Sequence, residues 1–325
     1  MAITRANKPK TGRLKKVLIT IGLLFLVVIA GIGAYGYSIY QSAQDTVNSK
    51  MHEELDREPS SKRPFEVNID EKDPLSFLLL GTDAREGQRG RSDTIIVTTV
   101  NPNDDSMKML SIPRDTRTEI IGRGFHDKIN HAYAFGGSEM AADTVENFLD
   151  IPIDYVVRVN MDGFVEMVDA VGGVTVDNAF SFSSGSYSFN EGPVTLDGDR
   201  ALAYTRMRRN DPQGDFGRNI RQQQVVNAII SEGASFSSVT RVGDILEGLG
   251  NNVRTNLTFQ DMTTLMMDYT SARRHTESLS IEGSGTRIDG IWYLEVPEEE
   301  RLRVSGTLQE HLGLHESSDG AAASE

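Results

Sequence analysis

The stretch Leu75-Ser76-Phe77-Leu78-Leu79-Leu80-Gly81-Thr82-Asp83 decides the fold. Apart from Ser76 it is a continuous apolar run ended by Gly81, as expected of a strand covered on both faces. Asp83 then stands just past the carboxyl end of that strand, where open α/β sheets bind ligands. Outward from it, residues 94–100 are β-branched almost throughout, and 107–112 follow after a turn at 101–106. Ala142, Val145, Phe148 and Leu149 have helical spacing and mark a helix over 139–149. A strand at 155–159, a helix at 163–171 and a strand at 174–176 continue the alternation. Together these elements predict an α/β fold, a three-layer α-β-α sandwich around a central mixed sheet.

The later half reads as more helical, with helices over 197–204, 218–230 and 259–269. Short strands at 279–281 and 292–296 are expected to return to the sheet. Pro297 and three glutamates open a last helix, the acids suiting its N-terminal dipole. Residues 74–312 form one catalytic-sized domain, and 313–325, without apolar pattern, are expected to be disordered.

The N-terminus carries a topological signal. Residues 1–16 hold six cations and no acid, and Val17 to Tyr40 then runs 24 residues without a charge. As a helix that run is about 36 Å long, enough for a bilayer core of about 30 Å. It is longer than the apolar part of a cleaved signal peptide, so an N-terminal transmembrane signal-anchor helix is expected over 17–40. The cations before it set the N-terminus in the cytoplasm and all that follows outside. Residues 41–73, polar with Pro59 and Pro64, read as an extracellular stalk.

Beyond the first 16 residues the chain has 27 basic and 47 acidic side chains, a net of −20. Such a surface repels nucleic acid and anionic headgroups, so anion binding must be local and geometric. The chain has no cysteine, which excludes disulfides, thiolate metal sites and a cysteine nucleophile.

Against that acidic background, Arg200, Arg206, Arg208, Arg209, Arg218 and Arg221 lie within one short stretch that has no lysine. Arginine offers a planar fork of donors for phosphate or carboxylate oxygens. Arg206 and Arg208, two apart, face one side if the segment is extended, while Arg218 and Gln222, four apart, share a helix face. Upstream, Asp83, Arg91, Asp93 and Arg114 collect at strand ends. Carboxylates beside arginines suit a metal-bound diphosphate, the acids on a hard cation and the guanidinium groups on the phosphates. Plainer readings stand beside this one: aspartates that cap turns, an Arg114–Asp115 surface pair, a solvated cationic face. His126 and His131 show no metal spacing and read as structural.

At these residues the chain resembles the LytR-CpsA-Psr family of Gram-positive cell-wall enzymes. The stretches that carry the resemblance are FLLLGTDAR (77–85), RSDTIIV (91–97), LSIPRDT (110–116), DKINHAYAFGG (127–137), DGDRALAYTRMR (197–208) and DFGRNIRQQQ (215–224). Several ordered motifs over such a span are a far more specific signal than any one of them. The resemblance implies a membrane-anchored extracytoplasmic phosphotransferase. It would move an anionic glycopolymer, such as teichoic acid, from a polyprenyl-diphosphate carrier to a peptidoglycan sugar hydroxyl. It further implies Mg²⁺, with Mn²⁺ as a substitute, on Asp83 and Asp93. Arg91, Arg114, Arg206, Arg208, Arg218 and Asp215 would act on the diphosphate, with Lys128, Arg221 and Gln222 binding substrate. The carrier's tail would enter an apolar tunnel between sheet and helices. Asp93 and Asp215 both stand open as the general base. Two rival functions use the same residues: hydrolysis of the carrier, or a scaffold that binds a polyprenyl or sugar phosphate without turnover. A nucleic-acid role is excluded by the acidic, extracytoplasmic domain.

Overall fold

The structure is a computed structural model that describes residues 34–57, 60–63, 65, 67–83, 90–208, 211–233 and 249–314. Helix α1 (34–46) leads into a short π-helical turn, Val47–Met51. Strands β1 (Leu75–Thr82), β2 (Ser92–Asn101) and β3 (Ser106–Ser111) form an antiparallel meander. A hairpin of β4 (Arg117–Ile120) and β5 (Phe125–Lys128) precedes α2 (Asn130–Leu149), β6 (Tyr155–Asn160) and α3 (Met161–Ala170). Four short strands follow, β7 (Val174–Asn178), β8 (Phe182–Ser184), β9 (Tyr187–Phe189) and β10 (Gly192–Leu196), and lead to α4 (Gly198–Arg206) and α5 (Asp215–Gly233). The chain closes with β11 (Val253–Thr255), α6 (Phe259–Asp268), β12 (His275–Leu279), β13 (Ser284–Ile288), β14 (Ile291–Glu295) and α7 (Glu298–His311).

The central sheet has six strands in the order β11-β6-β1-β2-β3-β12. β1–β6 and β3–β12 pair in parallel and the other neighbours antiparallel, so the sheet is mixed, as expected. Successive side chains alternate between its faces. Leu78, Leu80, Ile95, Val97, Leu110 and Ile112 pack against Ala142, Val145 and Phe148 of α2 and Val304 and Leu308 of α7. On the opposite face Ile96, Met107 and Met109 meet Val226 and Ile230 of α5. Val157 and Val159 of β6 lie there beside Met167 of α3.

The helix expected over 139–149 is present as the second part of α2, after Gly137, whose φ of 74° and ψ of −154° break the helical path; a first part from Asn130 precedes it. Three expectations need correction. The strand expected at 292–296 to return to the sheet instead forms a separate hairpin with β13, tied to the domain where the Leu294 N–H donates to Asp115 O. The strand near 279–281 ends earlier, at Leu279, and does join the sheet edge beside β3. Residues 41–73 are not simply a solvated stalk. Val47 and Met51 are buried, Arg57 pairs with Asp143 and Glu146, and Arg63 pairs with Asp154. Arg57 and Arg63 there serve ion pairs with the domain, while polar residues such as Asp45, Asp70 and Glu71 are exposed.

Among the described residues no helix is long and apolar enough to cross a membrane. Residues 17–33 of the expected span lie outside the described residues, as do the basic segment 1–16, residues 86–89 of the loop after β1, Arg209 and the tail 315–325.

Candidate active site

The site begins where β1 and β2 separate. Their register shifts between Gly81 and Thr82, and Gly81 is required there: a Cβ would lie 2.9 Å from Cβ of Thr94. Just beyond, the Asp83 N–H donates to Arg91 O at 3.2 Å, and the Arg91 N–H donates to Asp83 Oδ1 at 2.5 Å. The neck of the loop is thereby closed and Asp83 fixed on the rim, with Arg91 exposed beside it.

Asp93, at the start of β2, receives Arg114 Nη1 at 2.9 Å. Arg114 Nε is 3.8 Å from Asp115 Oδ2, and Asp115 Oδ1 takes Lys128 Nζ at 2.6 Å. Backbone bonds hold these side chains in place, from the Ile129 N–H to Thr116 O (2.8 Å) and from the Asn130 N–H to Arg114 O (3.3 Å). Burial alone would lower the pKa of Arg114, but the Asp93 carboxylate outweighs it and the net direction is upward. The row Asp93, Arg114, Asp115, Lys128 is therefore a chain of alternating charge. Asn130 touches its end, Nδ2 to Asp93 Oδ1 at 3.5 Å.

The second half of the site comes from α4 and α5. Asp197 caps α4 by accepting the Arg200 N–H, and Arg206 is its last residue. After the extended Met207, Arg208 Nε lies 3.2 Å from Asp215 Oδ1, and Arg218 Nη2 lies 3.0 Å from the same oxygen. Those two contacts are charge pairs without aligned hydrogen-bond geometry, since Oδ1 is buried without a hydrogen bond. Arg218 is only 8% exposed, and its Nε has no hydrogen-bond partner among the described residues. Burial pushes its pKa down, and Arg114 and Arg208 push the same way. A buried donor left unmatched costs about 1–3 kcal/mol, a penalty that an incoming anion removes.

A cavity of about 530 Å³ opens beneath this rim. Its walls are apolar: Leu79 and Ile96 of the sheet, Val157 and Val159 of β6, Phe164 and Met167 of α3, and Val226, Ile229 and Ile230 of α5. Asp83, Asp93, Arg206, Arg218 and Gln222 supply its polar end. The structure thus gathers these five expected residues at one mouth. Arg114 and Lys128 connect to it through Asp93 and Asp115, and Arg208 and Asp215 through Arg218. Arg221 does not join them. Its Nε donates to Tyr204 O, Nη2 to Met207 O, and Nη1 pairs with Asp211 at 2.5 Å, all in the interior. It clamps the end of α4 onto α5, and the expectation that it binds substrate is corrected. Sequence reasoning missed Asn130 and Asp115, although both sit inside the motif stretches that carry Lys128 and Arg114.

Mg²⁺ is commonly held by one or two carboxylates together with substrate phosphates. Asp83 and Asp93 fit that role, each with an Oδ2 free of hydrogen bonds and ion pairs among the described residues. Among those residues no group of three or more His, Cys, Asp or Glu side chains gathers to hold a metal. A cation here would complete its shell from substrate and water.

An apolar cavity that ends in arginines and carboxylates suits an amphiphile with an apolar tail and an anionic head. That defines the class: an α/β protein with an apolar cavity under a charged rim. The chain belongs to the LytR_cpsA_psr family, whose model matches residues 37–310. It is 55% identical over 304 residues to the polyisoprenyl-teichoic acid–peptidoglycan teichoic acid transferase TagU of Halalkalibacterium halodurans, covering 93% of this chain and 100% of that one. The crystal structure of Bacillus subtilis TagU is 49% identical and superposes with a TM-score of 0.63, over 74% of this chain and 97% of that one. YwtF (TagT), a family protein with bound octaprenyl pyrophosphate lipid, is 33% identical with a TM-score of 0.66, over 81% of this chain and 100% of that one.

Proposed function

We propose that this chain transfers an anionic glycopolymer, teichoic acid or a close relative, from a polyprenyl-diphosphate carrier to a sugar hydroxyl of peptidoglycan. The observation that carries the reading is the apolar cavity opening onto a rim of Asp83, Asp93, Arg206, Arg218 and Gln222. Family membership, the transferase names of the relatives and the octaprenyl pyrophosphate bound to YwtF support it.

The tail would lie along Val157, Val159, Val226 and Ile230, leaving the diphosphate at the rim. Arg218, with its unmatched buried Nε, and Arg206 would take its oxygens, and Arg114 and Arg208 would add positive potential from their ion pairs. As the bond to the transferred phosphorus breaks, charge grows on the departing polyprenyl phosphate, and preorganised donors stabilise that growth. Asp83 and Asp93 would hold Mg²⁺, which when bound neutralises charge on the diphosphate oxygens. The apolar run at 17–40, after a basic segment, would anchor the chain with its catalytic domain outside the cytoplasm, where carrier and wall meet.

The test uses the full chain in detergent with a polyprenyl-diphosphate-linked saccharide, Mg²⁺ and uncrosslinked glycan strands. Mass spectrometry is expected to find the saccharide phosphate esterified to the strand, lost with EDTA and restored by Mg²⁺. Free saccharide phosphate alone would make the chain a hydrolase, and tight binding without turnover would make it a scaffold.

A further inference from the structure

The two carboxylates open as general base are both engaged. Asp93 is paired with Arg114, and Asp215 with Arg208 and Arg218. One step along the rim lies a different arrangement. Asp127 Oδ2 is 2.7 Å from His131 Nδ1, across one turn at the start of α2. Asp127 also accepts the Lys128 N–H at 2.8 Å and the Tyr293 hydroxyl at 3.3 Å. Burial pushes the Asp127 carboxyl up, but His131, the Lys128 amide and Tyr293 outweigh it and hold it below the usual carboxylate range. An ionised Asp127 fixes the proton on Nδ1 and leaves the lone pair on Nε2, as in a carboxylate–histidine dyad. His131 Nε2 has no hydrogen-bond partner among the described residues, and the side chain is 21% exposed.

The dyad connects to the site on one side and to an open aromatic surface on the other. Asn130, its neighbour in sequence, reaches Asp93, and Lys128 reaches Asp115 beside Arg114. Outward, the His131 ring meets Phe135 edge-on at 6.0 Å, and Phe135 meets Phe125 at 5.9 Å. Phe125 and Phe135 are both exposed. Sugar rings carry apolar C–H faces and polar edges, so an exposed aromatic ledge against a charged rim suits a saccharide.

We infer that His131, oriented by Asp127, is the general base for the acceptor hydroxyl, and that the Phe125–Phe135 ledge seats the acceptor sugar. The inference rests on the transfer reading above. The hydroxyl proton passes to Nε2, and the freed oxygen lone pair forms the new bond to the polymer-bearing phosphorus. The bond from that phosphorus to the bridging oxygen breaks, and polyprenyl phosphate departs with the electron pair. The imidazolium then returns its proton to water. The charged and titratable groups around the ring are Asp127 and Lys128 of β5, Tyr293 of β14 with Arg117 and Asp289 near it, and Arg123 over the Phe135 ring.

The experiment measures transfer by the full chain from pH 5.5 to 8.5 with the acceptor concentration varied, alongside carrier binding and thermal unfolding. His131→Gln is expected to lower kcat by about 10²-fold or more and to remove the acid limb of the profile, with carrier Kd unchanged. Asp127→Asn lowers kcat and keeps a limb, and Phe125→Ala raises acceptor KM more than it lowers kcat. A His131→Gln protein that keeps both rate and limb overturns the inference, as does one that loses carrier binding or unfolds early. If the unmodified chain forms no glycan ester at all, it is the transfer reading that falls.

Discussion

The two faces of the central sheet are built from the same strands and the same residue types, yet they end differently. Toward α2 and α7, Leu78, Leu80, Val97 and Leu110 are all but sealed from solvent and fill the layer with their own side chains. Toward α3 and α5, Leu79, Val157, Val159, Val226 and Ile230 are only half-buried, because they surround a cavity. In β1 the division falls between adjacent leucines, Leu78 and Leu80 on the filled side and Leu79 on the hollow one. Apolar patterning specifies that a face will be covered; what covers it, protein or guest, depends on how far the opposing helices stand off. Here α4 and α5 also carry Arg206, Arg218 and Gln222, so the same elements that enclose the cavity place the charges at its mouth.

Four perturbations separate the faces, the largest first. At the mouth of the hollow face, Arg218→Met should lower kcat/KM for transfer by about 10²–10³-fold, read from steady-state kinetics. On the filled face Leu78→Ala should cost about 2–5 kcal/mol in urea unfolding, and Leu79→Ala less than half of that, since Leu79 has fewer neighbours to lose. Equal losses at the two leucines would erase the distinction. Filling the cavity with Val226→Trp should weaken carrier binding about tenfold or more, about 1.4 kcal/mol, in a titration. Stability should change by under about 1 kcal/mol in the same variant, because the added volume enters empty space.

The smallest effect concerns the end of the filled layer. His311 Nδ1 contacts Thr99 Oγ1 at 2.7 Å and Nε2 contacts Ser106 Oγ at 2.9 Å. Burial, helped by Lys108, pushes its pKa down to about 4, so the fold holds it neutral. The unfolded chain, with a histidine pKa of about 6.5, binds the extra proton between these values. This contribution to stability is therefore present above pH 6.5 and fades as pH falls toward 4. Thermal melts across that range should show the decline, and His311→Gln should flatten it.

Much of this was legible before the fold was known. β1 declared itself by its unbroken apolar run, and the aspartates and arginines of the rim by their types and clustering in an acidic chain. The cavity was not legible, because Val157, Val226 and Ile230 read like any core residues until the separation of α5 from the sheet is seen. Nor was the fate of Arg221. One guanidinium among six reveals its burial only when Asp211 and the carbonyls of Tyr204 and Met207 come together in space. The docking of residues 41–73 was hidden likewise, since Arg57 and Arg63 find acids more than 80 residues away.

The most direct test of the hollow face as the carrier's seat is photocrosslinking. A polyprenyl diphosphate with a diazirine on its prenyl chain would be bound to the full chain and irradiated, and the labelled peptides mapped by mass spectrometry. Labels are expected on α5 around Val226 and Ile230 and on β6 at Val157 and Val159, and they should vanish in Val226→Trp. Labels confined to α2, α7 or the outer surface would contradict the account.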